Sequence, residues 1–137
     1  MRIFLDANVL FSAAKSNGAI REFLRNLKQY GHELVADAYV AEEARRNIAA
    51  KHPEAKEMLE AILNTTVELH GARTFPLSRH VELPEKDRPV LAAAISLACE
   101  VLVTGDSTHF GHLFGVTVDG TRVFPPRMLA DEVSASN

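Results

Sequence analysis

Four acidic residues in this chain have the types and settings needed to hold a cation: Asp6, Glu43, Asp87 and Asp106. Asp6 follows the apolar run Ile3-Phe4-Leu5, and Asp106 follows Val101-Leu102-Val103-Thr104-Gly105. If both runs are buried parallel strands, both carboxylates leave the sheet at one edge. Asp87 opens an Ala-rich helical segment that feeds the second strand, and a helix returning antiparallel to the strands starts at that same edge. Three carboxylates from distant parts of the chain then converge. Like charges held together destabilise one another, and a hard divalent cation with oxygen ligands, Mg²⁺ or Mn²⁺, offsets this.

The fourth acid is Glu43 rather than Glu42. Glu43 lies near the border of its helix's apolar face, between Val40 and Asn47, whereas Glu42 points with Arg45 and Arg46 toward solvent. Each residue also has a plainer role. For Asp87 it is a first-turn helix acid, for Asp6 and Asp106 a turn residue, and for Glu43 a solvated helix acid, but the joint arrangement is less easily explained this way than any single residue. Asn8, two residues after Asp6, is suited to orient that carboxylate by hydrogen bonding, and Thr104 and Ser107 are suited to hold Asp106 or a bound water. Each of these three is equally readable as a plain polar residue at a turn or strand end.

The elements that must position these groups follow from periodicity. Arg2 to Leu5 reads as the first strand. After the punctuation at Ser16–Gly18, Ile20, Phe23, Leu24 and Leu27 fall at helical spacing, and Gly31 ends that helix. Glu33 to Ala36 is a second strand, and Asp37 caps a helix that buries Val40, Ala44 and Ile48. Pro53 opens another helix, through Leu63, and Val67 to Leu69 is a short strand. Gly71 to Pro84 lacks periodicity and reads as a loop. Leu91, Ala94, Ile95 and Ala98 share one face of the helix that Asp87 opens, and Val101 to Thr104 is a strand followed by a turn at Gly105-Asp106-Ser107. Val116–Val118 and Val123-Phe124 are further strands. A final helix covers Arg127 to Glu132, with 133–137 a frayed tail. This alternation predicts an α/β fold, one domain over 1–132 with helices around a mostly parallel central sheet.

Composition narrows the function. A length of 137 residues suits one domain. A net charge of −3 argues against a generic nucleic-acid coating protein; it is compatible with a carboxylate site that a cation neutralises. The single Cys99, in an apolar helical run, reads as a buried, inert thiol in a reducing cytoplasmic compartment. No apolar stretch is long enough to span a membrane, and the N-terminal run before Asp6 is too short for a signal peptide.

In this setting the chain resembles the PIN-domain family, including the VapC-like toxin ribonucleases. Ile3-Phe4-Leu5-Asp6-Ala7-Asn8-Val9-Leu10 looks like the family's first motif, a strand ending in Asp-Thr-Asn, with Ala7 in place of Thr. Val40 through Ile48 resembles the helix carrying its acidic residue, Asp87 through Ala94 its Asp-then-Ala-rich helix, and Val101 through Phe110 its strand leading to Thr-x-Asp. His109 stands where many members carry a further Asp; a softer ligand and a phosphate contact are alternatives, and a surface role is the reading favoured here. The resemblance implies a PIN-like three-layer sandwich and metal-assisted hydrolysis of RNA phosphodiesters. Asp6 would be the central ligand, with Glu43, Asp87 and Asp106 completing the set. It further implies a toxin of a toxin–antitoxin pair, neutralised by an antitoxin and commonly homodimeric. Lys15, Arg79, Arg88, His109 and His112 are candidates for contact with RNA. Two alternatives are a haloacid-dehalogenase-type phosphatase, whose second Asp would fall at Asn8, and a non-catalytic PIN-like binding domain.

Overall fold

The structure, a computed structural model, describes residues 1–136. One six-stranded sheet runs through it. In chain order its strands are β1 (Arg2–Leu5), β2 (Glu33–Asp37), β3 (Glu68–His70), β4 (Val101–Val103), β5 (Thr117–Val118) and β6 (Thr121–Phe124). Their spatial order is β3-β2-β1-β4-β6-β5, parallel throughout except for the β5–β6 pair. The helices are α1 (Ala7–Lys15), α2 (Ala19–Gln29), α3 (Ala38–Lys51), α4 (Lys56–Thr65), α5 (Arg88–Ser96), α6 (Ser107–Phe110) and α7 (Pro126–Ser136).

The central strands are apolar on both faces because helices cover both. Ile3, Phe4 and Leu5 of β1 and Leu102 and Val103 of β4 are fully buried. Helix α1 packs on α2, α3 and α4, α5 contacts β4 and α3, and α7 contacts β6. Gly31, at φ +88°, ends α2 in the left-handed conformation, with its N–H on Lys28 O and the His32 N–H on Leu27 O. Asp37 caps α3, its Oδ1 accepting the Val40 N–H at 3.2 Å. Asp119 and Gly120, both at positive φ, form the two-residue turn of the β5–β6 hairpin.

Several elements differ from the sequence reading. Helix α1 begins directly after Asp6, ahead of the Ser16–Gly18 punctuation, because Val9, Leu10, Ala13 and Ala14 form one buried face. Pro53 opens a single 3-10 turn (Pro53–Ala55), and the α-helix starts at Lys56. Strand β3 lies one residue later than expected. Asp106 is the cap of α6 rather than the middle of a simple turn. Residues 133–136 continue α7, and Asn137 lies outside the described residues. Among the described residues no helix is long and apolar enough to cross a membrane.

Candidate metal centre

The register of the two central strands builds the first half of the site. Leu5 sits beside Val103, and the Asp6 N–H donates to Val103 O at 3.1 Å. The next residues, Asp6 and Thr104, therefore emerge side by side. The Thr104 hydroxyl donates to Asp6 Oδ2 at 2.8 Å and accepts the Asp106 N–H at 3.1 Å. Asn8, in the first turn of α1, donates its amide to Asp6 Oδ2 and Thr104 Oγ1 and accepts the Gly105 N–H at 2.7 Å. A Cβ at Gly105 would come within 3.3 Å of Asn8 Oδ1, so the glycine permits this approach. Asp6 Oδ1 accepts the Ala7 N–H at 2.7 Å, which caps α1. Ser107, expected beside Asp106, makes no side-chain hydrogen bond among the described residues.

Asp6 is buried, and burial is the main reason its carboxyl is pushed up to about 6. The hydrogen bonds from Thr104 and Ala7 pull the other way, while the charges of Glu43 and Asp87 push it further up. Glu43 and Asp87 thus both act on Asp6. Glu42 instead faces Arg46, at 4.0 Å, and is exposed.

The second half of the site is built differently. Asp87 stands at the N-terminus of α5, yet its side chain makes no capping hydrogen bond. A plain cap is therefore not its role. Its Oδ2 is buried and accepts no hydrogen bond. Lys86 Nζ is 3.8 Å from Oδ1. Asp106 Oδ1 accepts the His109 N–H at 3.0 Å, while His109 Nδ1 lies 2.8 Å from Asp106 Oδ2 and 3.1 Å from Asp87 Oδ2. His109 is consequently no mere surface residue. It stands between two of the expected acids, and one ligand atom from each of the three lies within 4.8 Å of the others.

These donors fit a divalent cation: hard carboxylate oxygens, one of them buried and accepting no hydrogen bond, at helix N-termini whose dipoles favour anions. Asp87, Asp106 and His109 form the tight set, and Asp6 and Glu43 flank it. Tyr39 is a neighbour that no motif or spacing marks. Its hydroxyl donates to Lys86 O at 2.6 Å, tying α3 to the start of α5. Burial raises its pKa, and the charges of Glu43 and Asp87 add to that.

Of the five residues expected to meet RNA, four line one cavity of about 650 Å³: Arg79, Arg88, His109 and His112. Its wall is completed by the 71–84 loop, including Val81 and Leu83. Besides His109, two of the four are already engaged. Arg88 donates to the carbonyls of Val81, Leu77 and Ser78 at 2.7–3.2 Å, and His112 Nε2 lies 2.7 Å from Glu82 O. Arg88 is thus a clamp on the loop rather than a free phosphate ligand. Arg79 is exposed and makes no ion pair among the described residues. Lys15 is elsewhere, at the far end of α1, with its ammonium 5.5 Å from the Phe11 ring centroid.

No family model matches the sequence, and no curated protein matches it. Solved structures do match the fold. VapBC2 from Rickettsia felis, bound to a DNA fragment from its promoter, superposes with a TM-score of 0.68 at 15% identity, over 91% of this chain and 98% of that one. The chain has the PIN fold. FitAcB from Neisseria gonorrhoeae gives a TM-score of 0.58 at 18% identity, over 91% and 98%. Mycobacterium tuberculosis VapC20, described as a sarcin-ricin loop cleaving toxin, gives 0.58 at 13% identity, over 85% and 97%. In this PIN fold the acidic residues read from the sequence stand at the C-terminal edge of β1 and β4, at the start of α5 and on α3.

Proposed function

We propose that this protein is a metal-dependent endoribonuclease and the toxin of a toxin–antitoxin pair. The observation that carries the reading is the cluster of Asp87, Asp106 and His109 beside Asp6, with Asp87 Oδ2 buried and accepting no hydrogen bond. Such an arrangement is costly without a cation. Asp6, Glu43, Asp87 and Asp106 would hold Mg²⁺ or Mn²⁺. When bound, the ion would supply positive charge to the phosphodiester and activate water for in-line attack.

The chain's own groups do the rest. Asn8, Thr104 and the Ala7 N–H fix both oxygens of Asp6, so that its orientation precedes any ligand. The cavity beside His109 accepts the RNA strand, with the free guanidinium of Arg79 on its backbone. Asn8 is fully occupied in orienting Asp6 and supplies no acid, which leaves the phosphatase alternative without its second carboxylate. Several fold neighbours are named as VapBC or FitAB pairs, which supports a cognate antitoxin for this chain. A homodimer and a cytoplasmic setting complete the reading.

The test is a calorimetric Mn²⁺ titration of wild type and Asp6→Asn, with RNA cleavage assayed on the same samples. Metal-dependent cleavage by the wild type alone, with binding weakened in the variant, is the expected result. Cleavage that survives in Asp6→Asn, or needs no metal, would overturn it.

A further inference from the structure

The gap between Asp87 and Asp106 is spanned by a single nitrogen. His109 Nδ1 lies 2.8 Å from one carboxylate oxygen and 3.1 Å from the other. A neutral imidazole has at most one proton on that nitrogen. In the structure the hydrogen bond goes to Asp106 Oδ2, and Asp87 Oδ2, in a residue only 7% exposed, accepts none. The two acceptors therefore cannot both be satisfied by His109 as a donor. A cation placed among the three atoms would satisfy all of them. The spacing suits it: with metal–ligand bonds of about 2.1 Å, adjacent ligands of a six-coordinate ion stand roughly 3 Å apart.

The ring is held in place for this role. The His109 N–H is fixed on Asp106 Oδ1, and the next residue, Phe110, is fully buried. The side chain is one-third exposed, and it also lines the cavity shared with Arg79, Arg88 and His112.

We propose that His109 Nδ1 is a metal ligand, and that this nitrogen makes the site select Mn²⁺ over Mg²⁺. The inference rests on the metal-site reading above and adds to it a ligand outside the four acids. Its physical basis is donor softness. Carboxylate and water oxygens suit Mg²⁺ and Mn²⁺ alike, whereas imidazole gains more from a transition ion than from Mg²⁺.

The experiment pairs pulsed electron paramagnetic resonance of the Mn²⁺-loaded full chain with calorimetric titrations of Mn²⁺ and Mg²⁺. Wild type, His109→Gln and His109→Asp are compared. The wild type is expected to show modulation from a directly bound ¹⁴N, lost in both variants. His109→Gln is expected to weaken Mn²⁺ by roughly tenfold or more, as loss of a group in or next to a metal's ligand set does. His109→Asp is expected to bind both ions while its Mn²⁺-over-Mg²⁺ preference falls. Nitrogen modulation absent from the wild type, or an ion preference unchanged in His109→Asp, would overturn the inference and make His109 a hydrogen-bonded spacer. The first of these readouts needs no variant to fold. A wild type that binds neither ion overturns the metal reading and this inference together, whereas one that binds ions without a nitrogen signal overturns this inference alone.

Discussion

The two halves of the candidate site are built on opposite plans. At the ends of β1 and β4, every oxygen of Asp6 is held: Oδ1 by the Ala7 N–H, Oδ2 by Asn8 and Thr104. Across from it, Asp87 offers a buried oxygen with no hydrogen bond, and a neutral His109 ring can donate from Nδ1 to only one of the two carboxylates it reaches. One half is fixed before any ligand arrives. The other is left under-satisfied, and that is where a cation has most to gain. The contrast separates orientation from affinity: the strand ends supply the first, the helix starts the second.

The largest expected effect breaks the two halves apart. Asp6→Asn and Asp87→Asn should each lower metal-dependent RNA cleavage by more than about 100-fold, beyond what losing a mere partner of a ligand costs. Their effects on the fold should differ. At position 6 both oxygens accept hydrogen bonds, so an amide sets a donor against donors at about 1–3 kcal/mol, which offsets the relief of removing a buried charge there. At position 87 the substitution removes a buried carboxylate whose Oδ2 accepts no hydrogen bond, at the loss of only its contacts with Lys86 and His109. Thermal melts without metal should therefore place Asp87→Asn above Asp6→Asn. The reverse order would mean that the two halves are not built differently.

Second in size is a pH effect on the metal-free chain. Folding raises the Asp6 carboxyl from its ordinary value near 3.8 to about 6, so the folded chain holds that proton more tightly than the unfolded one. The resulting stabilisation is complete below about pH 4 and is lost as the pH rises through about 6. A shift of that size corresponds to roughly 3 kcal/mol. Asp37, also raised by burial, acts in the same direction. Denaturant melts should show the metal-free protein gaining stability from pH 7 to pH 5, with the gain reduced but not abolished in Asp6→Asn. A wild type that loses stability over that interval would show that Asp6 is not destabilised by its burial.

How much of this was legible in the sequence depends on whether the signal was local. Asp6 and Asp106 each followed an apolar strand, and that pattern placed them on one edge without further information. Asp87 could be assigned to that edge because its helix must return to β4. Choosing Glu43 over Glu42 needed only helical spacing. His109 was not legible in the same way. Its role depends on α6 turning the ring back between Asp87 and Asp106, and nothing in Thr-Gly-Asp-Ser-Thr-His-Phe distinguishes that from an exposed side chain. Arg88 failed similarly: charge marked it as an RNA contact, whereas its partners are three carbonyls of a loop with no periodicity. Helix α1 had a clear apolar face and was missed because the Ser-Asn-Gly punctuation drew the boundary too early.

The third expectation tests the fixed half directly. Asn8→Ala removes two hydrogen bonds to the Asp6–Thr104 pair and the acceptor of the Gly105 N–H. Cleavage should fall by roughly 10–100-fold at saturating metal, with the dissociation constant for Mn²⁺ changed less than the rate. Equal losses in binding and rate would mean that Asn8 contributes affinity rather than orientation.

The smallest effects carry the same contrast to the cavity, where one arginine is engaged and the other is not. Arg88 is bound to three carbonyls of the 71–84 loop, so Arg88→Lys should expose that loop to proteolysis and speed its amide exchange. Lysine keeps the charge but lacks the planar fork that reaches three acceptors. Arg79, without an ion pair among the described residues, should behave in the opposite way. In Arg79→Ala the loop should exchange as in the wild type, while KM for RNA rises a few-fold and the slope of log affinity against log salt falls by about one, the signature of one lost phosphate contact. If Arg79→Ala loosens the loop, or Arg88→Lys shifts the salt slope without affecting exchange, then the two arginines have been assigned to the wrong sides. The cavity would then be held open by Arg79 and read by Arg88.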